Sequence, residues 1–226
     1  MSRPFVLIAG WLLVSLLGCG GKESPKAQVA YSYPNYGQAD IKFLDDVQSN
    51  TNLDAGIRDL TLLGVDGQET RIESLQGGKH LIVVVTRGNT DPICPYCSTQ
   101  VADYIRSYDT ITSRGAQVIV VYPIEKLADQ KHRDAFLGKA RELLKDPNRP
   151  TPFPVLLDVE LKAVDKLGIR KNLSKPATYL LDRNGRVQFA YVGNSLADRP
   201  SIPAMLEQLD KLNKASPTQP SSTAGS

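Results

Sequence analysis

The sequence predicts an α/β fold in which a central mixed β-sheet is flanked by helices. Residues 80–85 and 117–122 form apolar, mostly β-branched runs, and a long amphipathic stretch that starts near Pro95 lies between them. A strand, a helix and a strand in this order form a parallel pair with a right-handed crossover. Residues 177–192 contain two further apolar runs around Asn184-Gly185, a dipeptide typical of tight turns, and predict an antiparallel pair.

The other elements follow from similar patterns. Asp66-Gly67, between residues 60–63 and 69–72, predicts an N-terminal β-hairpin. Asp158 is expected to cap a helix that Gly168 closes. In the long helix, apolar side chains recur every three or four residues along one stripe: Cys97, Val101, Tyr104, Ile105, Tyr108 and Ile111. The remaining predictions are a helix ending at residue 144, a strand over 153–157 and a helix over 202–212.

Composition excludes several classes of protein. The chain has 226 residues, of which 41% are hydrophobic and 23% charged, as in ordinary globular proteins. A chain of this length buries a core without cross-links, and three cysteines do not form a disulfide framework. The net charge of +3 is spread along the chain without a run of like charges, so nothing favours nucleic acid as a partner. The cysteines therefore indicate chemistry.

The N-terminus carries a short apolar run that ends at a cysteine. Arg3 precedes residues 5–17, a run too short for a permanent membrane span and typical of a secretory signal. Leu16-Leu17-Gly18-Cys19 resembles the bacterial lipoprotein box, in which the signal is cut before the cysteine and the thiol of that cysteine is acylated. A plain signal peptide with an incidental cysteine, or an N-terminal anchor, are the alternatives.

Four segments follow from this interpretation. Residues 1–18 are a lipoprotein signal peptide, 19–40 a flexible tether, 41–214 one domain and 215–226 a disordered tail, because both termini are rich in small and polar residues. The mature chain is expected outside the cytoplasm, held to the membrane by lipid on Cys19 and facing the periplasm. Gly20 stands where an aspartate would favour the inner membrane, so the outer membrane is favoured in a cell with two membranes.

Cys94-Pro95-Tyr96-Cys97 lies where the first buried strand gives way to the long helix. Cys97 is on the apolar stripe and should face the core, whereas Cys94 is predicted to be exposed at the helix N-cap, with Pro95 at the first helical position. There the free N–H groups and the helix dipole would favour a thiolate, so we expect a pKa of Cys94 below that of a free thiol. Cys97, one turn away, would resolve a mixed disulfide.

Three other roles for this pair are less consistent with the sequence. A structural zinc site needs two further ligands, and with Cys19 assigned to lipid only His80 and His132 remain, in separate elements. We therefore expect no metal and no cofactor. A structural disulfide across so short a link would remove little chain entropy. A pair of free, buried thiols would explain Cys97 but not Cys94.

From about residue 60 to residue 212 the chain resembles the redoxin branch of the thioredoxin superfamily, which includes membrane-tethered thiol-disulfide oxidoreductases and peroxiredoxin-like proteins. Arg87-Gly88 and Ala197-Asp198-Arg199-Pro200 are most similar to the peroxiredoxin-like group. The resemblance implies a thioredoxin-like fold. The stretches that carry it are LLGVDGQ at 62–68, CPYC at 94–97, FPVLLD at 153–158 and KPATYLLDRNG at 175–185.

The resemblance also implies a substrate groove beside the CPYC motif. In the superfamily a proline with a cis peptide bond precedes the hairpin strand and lies against the cysteines, and Pro176 occupies that position. The alternative is an ordinary proline at the start of a strand. Lys175, Pro95 and Tyr96 are expected to complete the groove, and Arg87 to give electrostatic support.

The expected function is a membrane-anchored, extracytoplasmic thiol-disulfide oxidoreductase. Its redox-active disulfide joins Cys94 and Cys97, and its partners are protein or small-molecule thiols and disulfides, together with a further redox partner that the sequence does not identify.

Two alternatives remain. One is a peroxiredoxin-like peroxide or hydroperoxide reductase that uses the same cysteines. Peroxiredoxins place a threonine three residues before the attacking cysteine, so Cys97 would attack and Cys94 would take the position of the threonine. Thr90 is one residue out of register for attack by Cys94. The other is a copper-delivery module, disfavoured because such modules resemble CxxxC with a distant histidine, and no histidine follows His132.

Overall fold

The computed structural model describes residues 41–215, and it confirms the predicted α/β class. Most of its strands form a seven-stranded mixed sheet, and the two short strands β6 and β7 pair separately. The strands are β1 (Thr61–Leu63), β2 (Glu69–Arg71), β3 (His80–Val85), β4 (Ala116–Ile124), β5 (Val155–Val159), β6 (Arg170–Lys171), β7 (Leu173–Ser174), β8 (Ala177–Leu181) and β9 (Val187–Val192). The α-helices are α1 (Pro95–Thr112), α2 (Lys131–Leu143), α3 (Lys162–Lys166) and α4 (Ile202–Ala215). Short 3-10 turns span Ile57–Asp59, Ile72–Leu75 and Leu127–Gln130.

The order of strands across the large sheet is β2-β1-β5-β4-β3-β8-β9. β3, β4 and β5 run parallel, with α1 in the crossover from β3 to β4. β8 and β9 form the antiparallel hairpin on one side, and β1 and β2 form the antiparallel N-terminal hairpin on the other. A parallel unit followed by an antiparallel hairpin is the predicted thioredoxin-like arrangement.

Each face of the sheet packs into a core of its own. Along β3 every residue is buried, and alternate side chains point to opposite faces, as strand geometry requires. Ile82 and Val84 join the core with α1 and α4, whereas Leu81 and Val83 join the core with α3. β3 is buried on both faces, and its carboxyl end leads into the loop before α1. The first residue of this loop is therefore held in place by the sheet.

Residues 41–50, which we call the N-terminal strap, pack against the loop before α4. The Leu44 N–H donates to the Arg199 carbonyl at 2.8 Å, and the Ser201 N–H donates to the Leu44 carbonyl at 2.8 Å. The hydroxyl of Ser201 donates to Asp45 at 2.6 Å. Phe43 and Val47 are buried. The strap therefore fixes the backbone on both sides of Pro200.

Two boundaries differ from the predictions. Asp158 does cap α3, since its two carboxylate oxygens accept from the N–H groups of Ala163 and Val164. Asp158 is nevertheless the fourth residue of β5, and the residue at the N-cap position of α3 is Leu161. α4 continues to Ala215, which the sequence assigned to the tail. The predicted signal peptide, tether with Cys19 and remainder of the tail lie outside the described residues. Within 41–215, no helix has the length and apolar character needed to span a membrane.

Candidate active site at the start of the long helix

The CPYC motif begins α1 as predicted, with Cys94 at the N-cap and Pro95 in the first turn. The Cys94 carbonyl accepts from the Ser98 N–H at 3.1 Å, which closes the first helical turn. Because Cys94 and Cys97 are separated by this turn, their side chains meet. The two Sγ atoms lie 2.9 Å apart as free thiols, so the pair needs only a small movement to form a disulfide of about 2.05 Å.

The prediction that Cys94 is exposed is wrong. Only 4% of Cys94 and 1% of Cys97 are accessible to solvent. The N-cap side chain turns toward Cys97 instead of outward, and it makes no capping hydrogen bond. Cys94 nevertheless lines a surface pocket of about 340 Å³, together with Asn89 and Leu196. Cys97 does not line this pocket, so Cys94 is the sulfur that a molecule in the pocket meets first.

The sulfur of Cys97 is surrounded by donors. The Arg199 guanidinium donates through Nη2 at 3.2 Å, and the backbone N–H of Arg87 donates at 3.4 Å. Arg199 is itself buried, and its other two nitrogens also donate: Nε donates to the Leu196 carbonyl at 2.7 Å and Nη1 to Gln100 Oε1 at 2.6 Å. A buried guanidinium held on three sides places a fixed positive charge at this sulfur.

These contacts locate the thiolate on Cys97. Burial alone would raise the pKa of Cys97, but the hydrogen bond with Cys94, the charge of Arg199 and the Arg87 N–H together lower it below that of an ordinary thiol. The pKa of Cys94 is raised, first by its hydrogen bond to Cys97 and then by burial. The predicted low pKa of Cys94 is therefore wrong, because the charge on Arg199 and the N–H of Arg87 reach the other sulfur.

Gly88 lets the loop before the cysteines approach β4. Its φ is +101°, and a Cβ at this position would lie 2.4 Å from the Pro123 carbonyl oxygen. The same carbonyl accepts from the Asn89 N–H at 2.9 Å. The backbone on either side of Gly88 thus holds the N–H of Arg87 so that it points toward Cys97. A residue with a side chain at position 88 would displace this N–H.

Pro176 lies directly before β8, but its predicted cis peptide bond is absent. Within residues 41–215 the cis bond is Asp91–Pro92. The Pro176 carbonyl accepts from the Gly193 N–H at 2.8 Å, and the Lys175 N–H donates to the Ile169 carbonyl at 2.8 Å. These hydrogen bonds hold the trans backbone in register with its neighbours. Pro176 therefore acts as a proline at the start of a strand.

The predicted groove is divided between two adjoining pockets. Pro176, Lys175 and Arg87 line one of about 230 Å³. Arg87 also lines the other pocket, with Cys94 and Pro95. Tyr96 lines neither and packs, partly buried, against the core. The structure thus places Arg87 and Pro95 in the pocket of Cys94, and Lys175 and Pro176 in the adjoining pocket.

No cluster of three or more metal-ligating side chains occurs in the part of the chain that the structure describes. His80 begins β3, where its Nε2 lies 3.2 Å from Asn213 Oδ1, and His132 is in α2. Both are in elements that do not carry the cysteines.

Sequence comparison assigns the family. The model of the AhpC/TSA family matches residues 54–190, which is more than half of the chain. The chain belongs to the AhpC/TSA family. It is therefore an oxidoreductase that acts on thiols, and the resemblance to the redoxin branch is confirmed. No curated protein sequence matches the chain significantly.

Solved structures of peroxiredoxins share the fold of this AhpC/TSA protein. A cysteine-to-serine mutant of peroxiredoxin 6 from Arenicola marina aligns with a TM-score of 0.61 and 14% identity, over 76% of this chain and 80% of its own. The yeast mitochondrial 1-Cys peroxiredoxin gives 0.58 and 11%, over 75% and 79%. Peroxiredoxin Q from Xanthomonas campestris gives 0.50 and 17%, over 74% and 99%.

Arg199 and Gln100 are the site residues that sequence reasoning did not assign. The Ala197-Asp198-Arg199-Pro200 stretch was a visible signal, since it carried the resemblance to the peroxiredoxin-like group. What could not be read from it is the contact itself, because Arg199 reaches Cys97 from a loop at the far end of the chain. Gln100 carries no such signal, and its role follows only from the hydrogen bond to Arg199.

Proposed function

We propose that this AhpC/TSA protein is a lipid-anchored, extracytoplasmic peroxide reductase that works through the Cys94–Cys97 dithiol couple. The observation that carries the proposal is the pair of donors on Cys97, the Arg199 guanidinium and the Arg87 N–H. The thiolate is the attacking form of cysteine. Because Cys97 is only 1% exposed, a hydroperoxide suits it better as an oxidant than a disulfide in a folded protein.

The oxidative step starts from one thiolate and one thiol. Cys97 Sγ attacks the terminal oxygen of ROOH and the O–O bond breaks, which leaves a sulfenic acid on Cys97 and an alkoxide that takes the proton of Cys94 to form ROH. Cys94 Sγ, 2.9 Å away, then attacks the sulfenic sulfur. The departing hydroxide takes a proton from solvent and leaves as water. Two electrons have passed from the sulfurs to the peroxide, and a disulfide remains.

The reductive step is thiol–disulfide exchange at Cys94. A thiolate attacks Cys94 because that sulfur lines the pocket, and Cys97 leaves as a thiolate. A leaving thiol of low pKa leaves faster, so the contacts of Cys97 with Arg199 favour this direction too. The yeast mitochondrial 1-Cys peroxiredoxin is described as resolved through glutathione and thioredoxin systems. By analogy, we propose protein or small-molecule thiols as partners here.

Thiol–disulfide exchange with other disulfides, without peroxide, is the second candidate function. It is favoured by the position of Cys94 in the wall of a pocket. In that reaction Cys94 would attack and Cys97 would resolve. The raised pKa of Cys94 opposes it, because little of this sulfur is a thiolate while Cys97 carries the charge.

Single cysteine variants separate the two candidates. We expect Cys97→Ser to abolish peroxide consumption, whereas Cys94→Ser should still be oxidised once and give a sulfenic acid that a dimedone reagent traps. With a model disulfide as substrate, the reduced parent protein should react slowly, because Cys94 is protonated while Cys97 carries the charge. Rapid reduction of the model disulfide by the parent, together with peroxide consumption that does not depend on Cys97, would favour the second candidate and refute the first.

The proposed membrane anchor rests on the sequence around Cys19. Mass spectrometry of the mature N-terminus should find a chain that begins at Cys19 and carries acyl groups. A mature chain that begins elsewhere and is unmodified would refute the anchor while leaving the redox proposal intact.

A further inference from the structure

A cationic pocket adjoins the pocket of Cys94. It has a volume of about 230 Å³ and is built from Arg87 after β3, the β6–β7 hairpin with the residues before β8, and the loop after β9. Three basic side chains line it, those of Arg87, Lys171 and Lys175. Its other walls carry hydroxyl and amide groups, from Asn172, Ser174, Asn194 and Ser195, and no carboxylate.

The three cations have no acidic partner. Among residues 41–215, ion pairs within 4.0 Å form elsewhere on the surface, and Arg87, Lys171 and Lys175 take part in none of them. The nearby carboxylate of Asp198 accepts from the Tyr191 hydroxyl at 2.5 Å and from the Asn194 N–H at 2.7 Å. Both of its oxygens therefore have a hydrogen-bond partner other than the three cations. An unpaired group of like charges around one concave surface attracts an anion.

The cationic pocket adjoins the pocket that contains the sulfur of Cys94. Arg87 and Leu196 line both it and the pocket that contains Cys94. The Arg87 carbonyl also accepts from the Ser174 N–H at 3.2 Å, which ties the two walls together. The neighbouring pocket contains one carboxylate, that of Asp91, which is exposed. A molecule anchored by its negative end among the cations would therefore extend past Arg87 to Cys94.

We propose that the cationic pocket binds the carboxylate of a small thiol, and that this class of thiol is the reductant of the disulfide. The inference rests on the proposed function, since it assigns a substrate class to the reductive step. Each pocket has the size of a site for part of a small molecule. Arginine pairs with carboxylates through two hydrogen bonds, and the lysines add charge.

The bound thiol reacts at Cys94. Its thiolate attacks Cys94 Sγ of the disulfide, a bond forms between the two sulfurs, and the Cys94–Cys97 bond breaks with its electron pair on Cys97. A second thiolate then attacks the sulfur of the bound thiol. This releases the small disulfide, and Cys94 leaves as a thiolate that takes a proton from solvent. Two thiols are oxidised and one protein disulfide is reduced.

Reduction rates of the oxidised protein test the charge preference. The probes are 3-mercaptopropionate, its neutral amide and the cationic cysteamine, each at equal thiolate concentration. We expect the carboxylate thiol to react about ten-fold faster than the amide at low salt, and high salt to reduce this advantage. The double variant Lys171→Glu/Lys175→Glu should remove most of the advantage of the carboxylate thiol over the amide. Lys79 is exposed and directly precedes β3, whereas Arg87 follows the other end of that strand. Lys79→Glu is therefore the control and should change neither rate.

The outcomes are distinct. Equal rates with the three probes, or an advantage that survives the double variant, would overturn the inference while leaving the proposed function standing. Failure of peroxide to form the Cys94–Cys97 disulfide would overturn the proposed function itself. The oxidation step is measured with a hydroperoxide that carries a carboxylate and with a neutral one. A charge preference confined to that step would assign the pocket to the oxidant and refute the thiol assignment.

Discussion

Arg199 Nη2 lies 3.2 Å from Cys97 Sγ, although the two residues are 102 positions apart in the sequence. The contact is possible because two other hydrogen bonds orient the guanidinium and because the strap holds the Arg199 carbonyl through the Leu44 N–H. It decides which sulfur carries the negative charge.

Replacing Arg199 with methionine should raise the pKa of Cys97. An opposite charge at this distance lowers a pKa by about one to three units. From a pKa of about 5, its removal should slow the reaction of Cys97 with peroxide near pH 6 by about two-fold to a hundred-fold. The sign follows from the thiolate, which is lost as the pH falls through the pKa of Cys97. The rate of the variant should therefore recover as the pH rises.

A pH profile of peroxide oxidation in a Cys94→Ser background measures this shift with one thiol present. Arg199→Lys should recover part of the rate, since it keeps the charge without the fork of donors. Arg114→Met is the control, because Arg114 pairs with Asp210 at 2.9 Å and contacts neither cysteine. An unchanged profile in Arg199→Met would show that the guanidinium does not stabilise the thiolate.

Gly88→Ala should reduce both stability and reactivity. A non-glycine residue at φ +101° is strained, and its Cβ would meet the Pro123 carbonyl at 2.4 Å, so we expect a loss of about 1–3 kcal/mol in the free energy of unfolding. Gly67→Ala is the matched control: φ is +77°, but no atom lies within 4 Å of its Cβ. Urea denaturation should show the larger loss for Gly88→Ala. Equal losses would mean that strain alone, without the clash, accounts for the effect.

Much of the fold was predictable because local patterns determine it. β3 needed only its continuous apolar run, and the α1 boundary followed from Pro95 and the apolar stripe. The position of Cys94 at the N-cap was also correct. The prediction that Cys94 carries the thiolate was wrong, because the charge depends on the contact of Cys97 with Arg199. That contact forms through tertiary packing, which no local sequence pattern encodes. The strap was missed for the same reason: its hydrogen bonds from Leu44 join distant segments.

Leu44→Pro should loosen the strap without removing a buried side chain. Proline has no N–H, so the hydrogen bond to the Arg199 carbonyl is lost, while the Leu44 side chain is 41% exposed and contributes little to the core. We expect a loss of about 1 kcal/mol in unfolding free energy and a higher pKa of Cys97, because Arg199 becomes less well fixed. Leu44→Ala keeps the N–H and is the control.

The readout for the strap is again the pH profile of Cys97 oxidation, taken together with thermal unfolding. A lower Tm with an unchanged pH profile would show that the strap stabilises the fold but does not position Arg199. A shift in both, absent from Leu44→Ala, would support positioning through the backbone.

Asp103 makes stability depend on pH in the direction opposite to that of most carboxylates. It is 2% exposed on α1, and burial raises its pKa to about 7 despite the attraction of Arg106. One of its oxygens, Oδ2, has no hydrogen-bond partner. Between about pH 4 and pH 7 the folded chain therefore holds a proton that the unfolded chain, with a pKa of about 3.9, has released. Folded-state stability from this group is present at low pH and is lost as the pH rises from about 4 to about 7.

Asp103→Asn removes the buried charge and should flatten this dependence. At pH 8 we expect the variant to be more stable than the parent on the order of 2 kcal/mol, and the difference should shrink as the pH falls toward about 4. Urea denaturation at a series of pH values measures it, with Asp109→Asn, an exposed carboxylate on the same helix, as the control. An advantage that stays constant from pH 4 to pH 8 would come from packing and not from the proton, and would contradict the raised pKa.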